Sequence, residues 1–225
     1  MTGATDLDRV ERALAARWPE TVIEPSLDRI AHLATLLGDP QLAYPVVHVT
    51  GTNGKTSTSR MIEALLREMG LATGLLTSPH LHEVTERIRL SGEPVSAERF
   101  ADAYDELVPY LALVDAESEA DGGPAMSYFE VLTGMGFTVF ADAPVDAAVI
   151  EVGLGGEWDA TNVVRPAVSV VTPIGIDHVA YLGDSLESIA TAKAGIIKPG
   201  AAVVLSRQVP QAQKVLDRRC DEVGA

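Results

Sequence analysis

The sequence predicts an α/β domain, a mostly parallel sheet flanked by helices, and three observations carry that prediction. Short β-rich runs alternate along the chain with longer stretches of helical periodicity. Runs such as AAVIEV and AVSVVT are apolar at consecutive positions, as expected of strands whose two faces are both covered by helices. The first such run passes through a glycine-bearing turn straight into a helix.

Taken in order, Leu7, Val10, Leu14 and Trp18 recur at helical spacing, and Leu27, Ile30, Leu33, Leu36 and Leu37 do so before Gly38, Asp39 and Pro40 end the run. Two helices therefore precede a strand at Val46 to Thr50. Gly51 and Gly54 mark the turn, and Met61, Leu65 and Leu66 resume helical spacing. Further strands are expected at Ala72 to Thr77, Ala147 to Glu151, Ala167 to Val171 and Ala201 to Leu205. Helices are expected at Ala97 to Val114, Tyr128 to Phe140 and Ser185 to Ala194. The acidic segment Asp115 to Pro124 reads as a solvated loop. A polar helix ends in Arg218, Arg219 and Cys220 with no obvious closing element after it, so a cut enzyme is expected.

With 225 residues, 47% of them hydrophobic, the chain can bury one substantial core. A net charge of −15 excludes binding nucleic acid by bulk attraction, so any phosphate ligand must be held locally. The single cysteine, Cys220, excludes an internal disulfide and points to a reducing cytoplasm. The opening residues lack the order of a signal peptide, and no apolar run is long enough to span a membrane.

The strongest local signal is VVHVTGTNGKTSTS. In Gly51, Thr52, Asn53, Gly54, Lys55, Thr56 and Ser57, the glycines let backbone amides approach phosphate oxygens at a helix start. Lys55 adds a cation, and the Thr56 hydroxyl suits magnesium. The common P-loop spacing would put a glycine where Val49 stands, so this is the shorter GxxGK[ST] form. The pattern fits ATP or GTP.

In an open parallel sheet, ligands gather beyond the carboxyl ends of strands. Glu151 closes one strand and is followed by GLGG; Ser78 follows another, and His178 follows a third. Glu151 suits a magnesium ion that takes hard oxygens. A lone histidine is more often a hydrogen-bonded structural group, and Lys193, on an amphipathic stretch, reads from residue type alone as an exposed helix lysine.

Together these segments resemble the Mur ligase superfamily, and within it folylpolyglutamate synthase and the bifunctional dihydrofolate synthase. HVTGTNGKTS resembles the family's phosphate loop, LLTSPHLHEVTERI its TSPH segment, SYFEVLTGMGF its folate-side helix and EVGLGGEWDATNVV its acidic magnesium motif. GIDHVAYLGDSLESIATAKAGIIKPG resembles its His and KAGI block, so the likeness runs over roughly residues 25 to 206 in the family's order. It implies a P-loop, Mur-ligase-like central domain in which Ser78 and Glu151 bind one magnesium beside ATP and Thr56. His178 and a carbamylated Lys193 would help to hold a second. Lys55, Glu151, His178 and Lys193 form the implied catalytic set, and Ser127, Phe129, Asp159 and Ala160 the implied pterin side.

The same resemblance implies that ATP phosphorylates a substrate carboxylate and that the α-amine of L-glutamate attacks the acyl phosphate. The acceptor would be dihydropteroate or a reduced folate, the location cytoplasmic, and the intact enzyme a monomer. The family's carboxyl-terminal α/β domain, which supplies glutamate contacts, is absent from residues 1–225. Two positions depart from the family pattern, Glu157 where Arg is common and Ala192 where Glu is common, and both are expected to weaken local ion pairs. The rival readings are a catalytically silent nucleotide or pterin module, and a P-loop kinase or GTPase. The latter lacks an NKxD guanine-reading motif.

Overall fold

A computed structural model describes residues 5–19, 24 and 26–225, so the first four residues and part of the link between the first two helices lie outside it. Helix α1 (Asp6–Ala15) starts on a capping box in which Thr5 and Asp8 satisfy each other's backbone amides. It buries Val10 and Leu14, as the spacing predicts. Trp18 lies beyond its end, and the indole donates to the Ala125 carbonyl at 2.6 Å. Helix α2 (Asp28–Leu36) buries Ile30 and Leu33.

Strands β1 (Val46–Thr50), β2 (Thr73–Leu76), β3 (Ile88–Leu90), β4 (Glu93–Pro94), β5 (Ala147–Glu151), β6 (Pro166–Val171) and β7 (Ala202–Leu205) form one sheet in the order β4-β3-β2-β5-β1-β6-β7. The five strands from β2 to β7 are parallel, while β3 and β4 add an antiparallel edge. That edge has no counterpart in the sequence reading, because pieces of three and two residues are too short to show a period.

Helix α3 (Lys55–Glu68) packs on β1, β2 and β5. Ile62 and Leu66 meet Val49, Leu75 and Val149, while Val46, Leu76, Ala148 and Ile150 point into the main core. Successive residues of these strands thus enter opposite layers, which explains their unbroken apolar runs. Helices α1, α2, α4 (Ala97–Ala120) and α5 (Tyr128–Asp142) build the main core. Helices α7 (Leu186–Ala194) and α8 (Pro210–Val223) pack on each other beside β6 and β7, and the four-residue turn α6 (Val179–Leu182) precedes them.

Two expectations are corrected. Residues 115–120, read as loop, continue α4, since DAESEA is made largely of helix formers and α4 ends only at Asp121 and Gly122. Burial of both strand faces holds at β2 and β5 but not at β7, where Val204 is 54% exposed. None of the described helices is long and apolar enough to cross a membrane.

Candidate functional site

The parallel register brings the carboxyl ends of β1, β5 and β6 to one edge: Val49 lies beside Glu151 and Val170, and Thr50 beside Val171. The phosphate loop leaves β1 there and is stitched to the segment after β6. Thr52 N donates to Pro173 O at 3.0 Å, and the Thr52 hydroxyl donates to Gly175 O at 3.1 Å. Gly51 has φ 146° and so close a neighbour that an added Cβ would stand 1.8 Å from Thr172 Oγ1. We expect Gly51→Ala to lower stability by about 3 kcal/mol, read as a drop in Tm, because Thr172 is buried and both strain and overlap act.

Glu151, at the end of β5, reaches the start of α3: Thr56 Oγ1 donates to Glu151 Oε1 at 2.8 Å. The side chain is buried, and burial pushes its carboxyl up to about 7, opposed by the Thr56 hydroxyl, the Lys55 ammonium, the Ser78 amide and Arg60. Its other oxygen, Oε2, is buried with no hydrogen-bond partner. An orphaned carboxylate oxygen beside a threonine hydroxyl is the kind of donor set that a hard divalent cation takes, so these residues fit magnesium. Among the described residues there is no cluster of three or more His, Cys, Asp or Glu that could hold a metal by itself. Hydroxyls and ligand phosphates would have to complete the shell.

Lys193 is 2% exposed, which corrects its reading as a surface lysine. From α7 its Nζ donates to Gly51 O at 2.8 Å, and Lys55 Nζ donates to the same carbonyl at 3.3 Å. Burial and the neighbouring Lys55 ammonium bring its amine down to about 8, against the pull of Asp177 and Asp159. Unmodified, this lysine is a clamp on the phosphate loop. It becomes a metal ligand only if its charge is reversed. His178 stands half-exposed with a left-handed backbone (φ 50°), its Nε2 3.5 Å from Asp177 Oδ2.

A cleft of about 620 Å³ gathers Lys55, Ser78, Ser127, Phe129, Asp159, Ala160 and His178. Glu151 and Lys193 are buried behind its phosphate-loop end rather than on its wall. Ser127 is committed to capping α5, its Oγ accepting from Glu130 N at 3.1 Å while Glu130 Oε2 accepts from Ser127 N at 2.7 Å. Phe129 and Asp159 close on Gly153, where an added Cβ would stand 2.7 Å from Phe129 Cζ and 3.2 Å from Asp159 Oδ2.

Sequence reading missed Trp18, Arg29, Glu130, Trp158 and Tyr181 on the same wall. Arg29 Nε donates to Glu130 at 3.0 Å, and its guanidinium lies 5.5 Å from the Trp18 ring centre. The SxxE capping box at Ser127 is legible and could have pointed to Glu130; nothing local marks the others. Glu157 and Ala192, the two departures from the family pattern, turn out to face each other. Glu157 N donates to Ala192 O at 2.8 Å, so a backbone bond joins them whatever their side chains.

The Mur ligase middle domain family model matches residues 49–92. A dihydrofolate synthase/folylpolyglutamate synthase of Mycobacterium tuberculosis (strain ATCC 25618 / H37Rv) is 53% identical over 217 residues, covering 92% of this chain and 45% of its own length. Its counterpart in Bacillus subtilis (strain 168) is 38% identical over 204 residues, covering 90% and 46%. A crystal structure of Mycobacterium tuberculosis folylpolyglutamate synthase complexed with ADP and AMPPCP superposes with a TM-score of 0.90 at 49% identity, over 98% of this chain and 49% of that one. An FPGS–AMPPCP–folate complex gives 0.88 at 34% identity, over 98% and 53%. The chain spans about half the length of the relatives it matches. With this family match, this level of identity and a common fold over 98% of its length, the chain belongs to the Mur ligase superfamily, in its folylpolyglutamate synthase branch.

Proposed function

We propose that this chain forms the ATP-binding part of a ligase that joins L-glutamate to dihydropteroate or to a reduced folate already bearing glutamate. The observation that carries the reading is the Thr56 to Glu151 contact, which ties the phosphate loop to the acid of β5 at the end of one cleft. Relatives named as folylpolyglutamate synthases, and one solved with AMPPCP and folate, support it.

In this reading the amides from Gly51 to Ser57 and the Lys55 ammonium hold the triphosphate of ATP. The substrate carboxylate attacks the γ-phosphorus, breaking its bond to the β–γ bridging oxygen and releasing ADP. The glutamate α-amine then attacks the acyl carbon; phosphate departs as the amide forms, and the amine proton passes to solvent. Thr56, Ser78 and Glu151 would hold one magnesium, with His178 and Lys193 beside a second. Bound there, magnesium would neutralise charge on the phosphoryl group in flight. Phe129 offers a ring face to the pterin and Asp159 accepts its ring N–H groups, with Ser127 and Ala160 shaping that end. The glutamate-side contacts are assigned to a second α/β domain outside residues 1–225. The working protein is taken to be a cytoplasmic monomer.

Lys193 is proposed to be carbamylated. Its neutral amine attacks carbon dioxide, an N–C bond forms as one C=O π bond opens, and a proton leaves to solvent. The depressed affinity of this amine for protons favours the reactive form. Bicarbonate labelled with 13C should give a carbamate carbonyl signal that is absent from Lys193→Arg; a spectrum identical for both proteins refutes the modification.

The decisive assay is ADP formation by the complete protein with dihydropteroate, with and without glutamate. Glutamate-dependent ADP establishes the ligase, whereas binding of both ligands without turnover leaves a silent module. Gly153→Ala should push the Phe129 ring out of place and raise the KM for the pterin substrate about tenfold while sparing ATP. Equal effects on both substrates would place the pterin elsewhere.

A further inference from the structure

Behind the cleft wall, β1 carries a group that the mechanism above does not use. His48 is fully buried, and its Nε2 lies 2.8 Å from Thr161 Oγ1. Thr161 sits in the 3-10 turn from Ala160 to Val163, whose amino end is capped by Asp159. Its hydroxyl lies 2.5 Å from Asp159 Oδ1, and its amide donates to the same oxygen at 3.0 Å. Leu154 N donates to Asp159 Oδ2 at 2.8 Å. From below, Lys198 Nζ donates to the carbonyls of Asn162 and Val164, fixing the far end of the turn.

The direction of the hydrogens along this run is set by chemistry. A carboxylate oxygen so near a hydroxyl oxygen needs a proton between them, and the Thr161 hydroxyl has only one to give. If it goes to Asp159, the hydroxyl oxygen must accept from His48, so Nε2 carries the ring proton. Nδ1 is then the bare nitrogen, which agrees with its being buried with no partner. Burial and the nearby Lys198 ammonium keep the ring neutral.

An Asp that merely capped its turn would need only the Thr161 amide. Here the hydroxyl adds a second donor to the same oxygen, and a buried imidazole supplies that hydroxyl with its own donor. Oδ1 is thereby filled from the protein side. On the other side the Leu154 amide bonds Oδ2 and the Gly153 amide also stabilises the carboxylate, so the acceptor capacity left toward the cleft that Asp159 lines is on Oδ2.

We infer that His48 and Thr161 are positioning residues for Asp159: they fill its inner oxygen and hold its outer oxygen aimed at the N–H groups of the bound pterin. The inference rests on the reading of this cleft as the pterin side. Neither residue touches the ligand.

The test uses the complete protein and measures KM separately for dihydropteroate and for ATP in Thr161→Val, Thr161→Ser, His48→Leu and Asp159→Asn, with Tm recorded for each. Thr161→Val keeps shape and removes only the hydroxyl donor. It should raise KM for dihydropteroate about tenfold, leave KM for ATP unchanged, and be rescued by Thr161→Ser, which keeps the hydroxyl. His48→Leu should follow Thr161→Val if it folds. A raised pterin KM in Asp159→Asn with none in Thr161→Val would overturn the positioning role while leaving the cleft assignment standing. No effect in Asp159→Asn would overturn the cleft assignment, and the inference with it. A parallel rise in KM for ATP, or no rescue by Thr161→Ser, would show a purely structural part and overturn the inference.

Discussion

In the complete protein, Lys55→Ala should lower ATP-dependent phosphate release on the order of 10³-fold, with little change in Tm. The size follows from what Lys55 does in the proposed reaction. Among the charged groups near the loop it opens α3 beside the amides that would bind phosphate, and its only described hydrogen bond, to Gly51 O, is a long one of 3.3 Å. It is therefore available to follow the γ-phosphoryl group as charge moves. Removing one preorganised donor from such a centre costs 10²- to 10³-fold, and removing a cation more. Lys55→Arg should rescue poorly, because a planar fork does not replace a compact ammonium in a narrow loop.

Lys193 donates to the same carbonyl, so the two substitutions need to be told apart. The Lys55 ammonium lowers the affinity of Lys193 for its proton, and its loss would leave Lys193 more firmly protonated. Lys55→Ala should therefore also weaken any 13C carbamate signal. Lys193→Ala, in contrast, cannot remove the Lys55 cation from the loop. Turnover retained in Lys55→Ala would refute its role in phosphoryl transfer.

The reach of sequence reading can be judged from particular residues. Gly51 to Thr56 were legible because a phosphate loop needs its residue types at fixed spacing, next to a strand and a helix that each show a clear period. Glu151 was legible because an acid closing a buried strand is costly without a purpose. Beyond Ser127, Phe129, Asp159 and Ala160, which the resemblance implies, the cleft wall was not legible. Arg29 joins Glu130, and His48 joins Thr161, across 101 and 113 residues of chain, and no local pattern records such a pairing. His48 in particular reads as one polar residue in an apolar strand. Only the register of β1 against β6 and the turn after β5 give it a partner. The α4 boundary differs for another reason: an acidic run suggests loop, although Ala and Glu favour helix and Gly122 is the first true breaker.

Glu151→Gln should separate the structural from the catalytic consequences of burying an acid at this edge. Glutamine can still accept the Thr56 hydrogen bond, so the loop geometry is retained, but the charge that would hold magnesium is lost. Magnesium-dependent ATP binding should weaken about 100-fold, at the upper end of what loss of a metal-site group costs. Stability should move the other way. The carboxyl binds its proton up to about 7 in the folded chain and near its ordinary value of 4.5 in the unfolded one. Its contribution is therefore full below about 4.5 and is lost as pH rises through about 7. Above that range the ionised, half-satisfied acid costs on the order of 3 kcal/mol, and the glutamine variant escapes this cost. Without metal, the wild type should match the variant at pH 4.5 and melt several degrees lower at pH 8; magnesium with ATP should close the gap for the wild type alone. Melting curves that run parallel from pH 4.5 to 8 would mean that Glu151 is satisfied in the free protein, and the case for a cation at its unpartnered oxygen would fail with it.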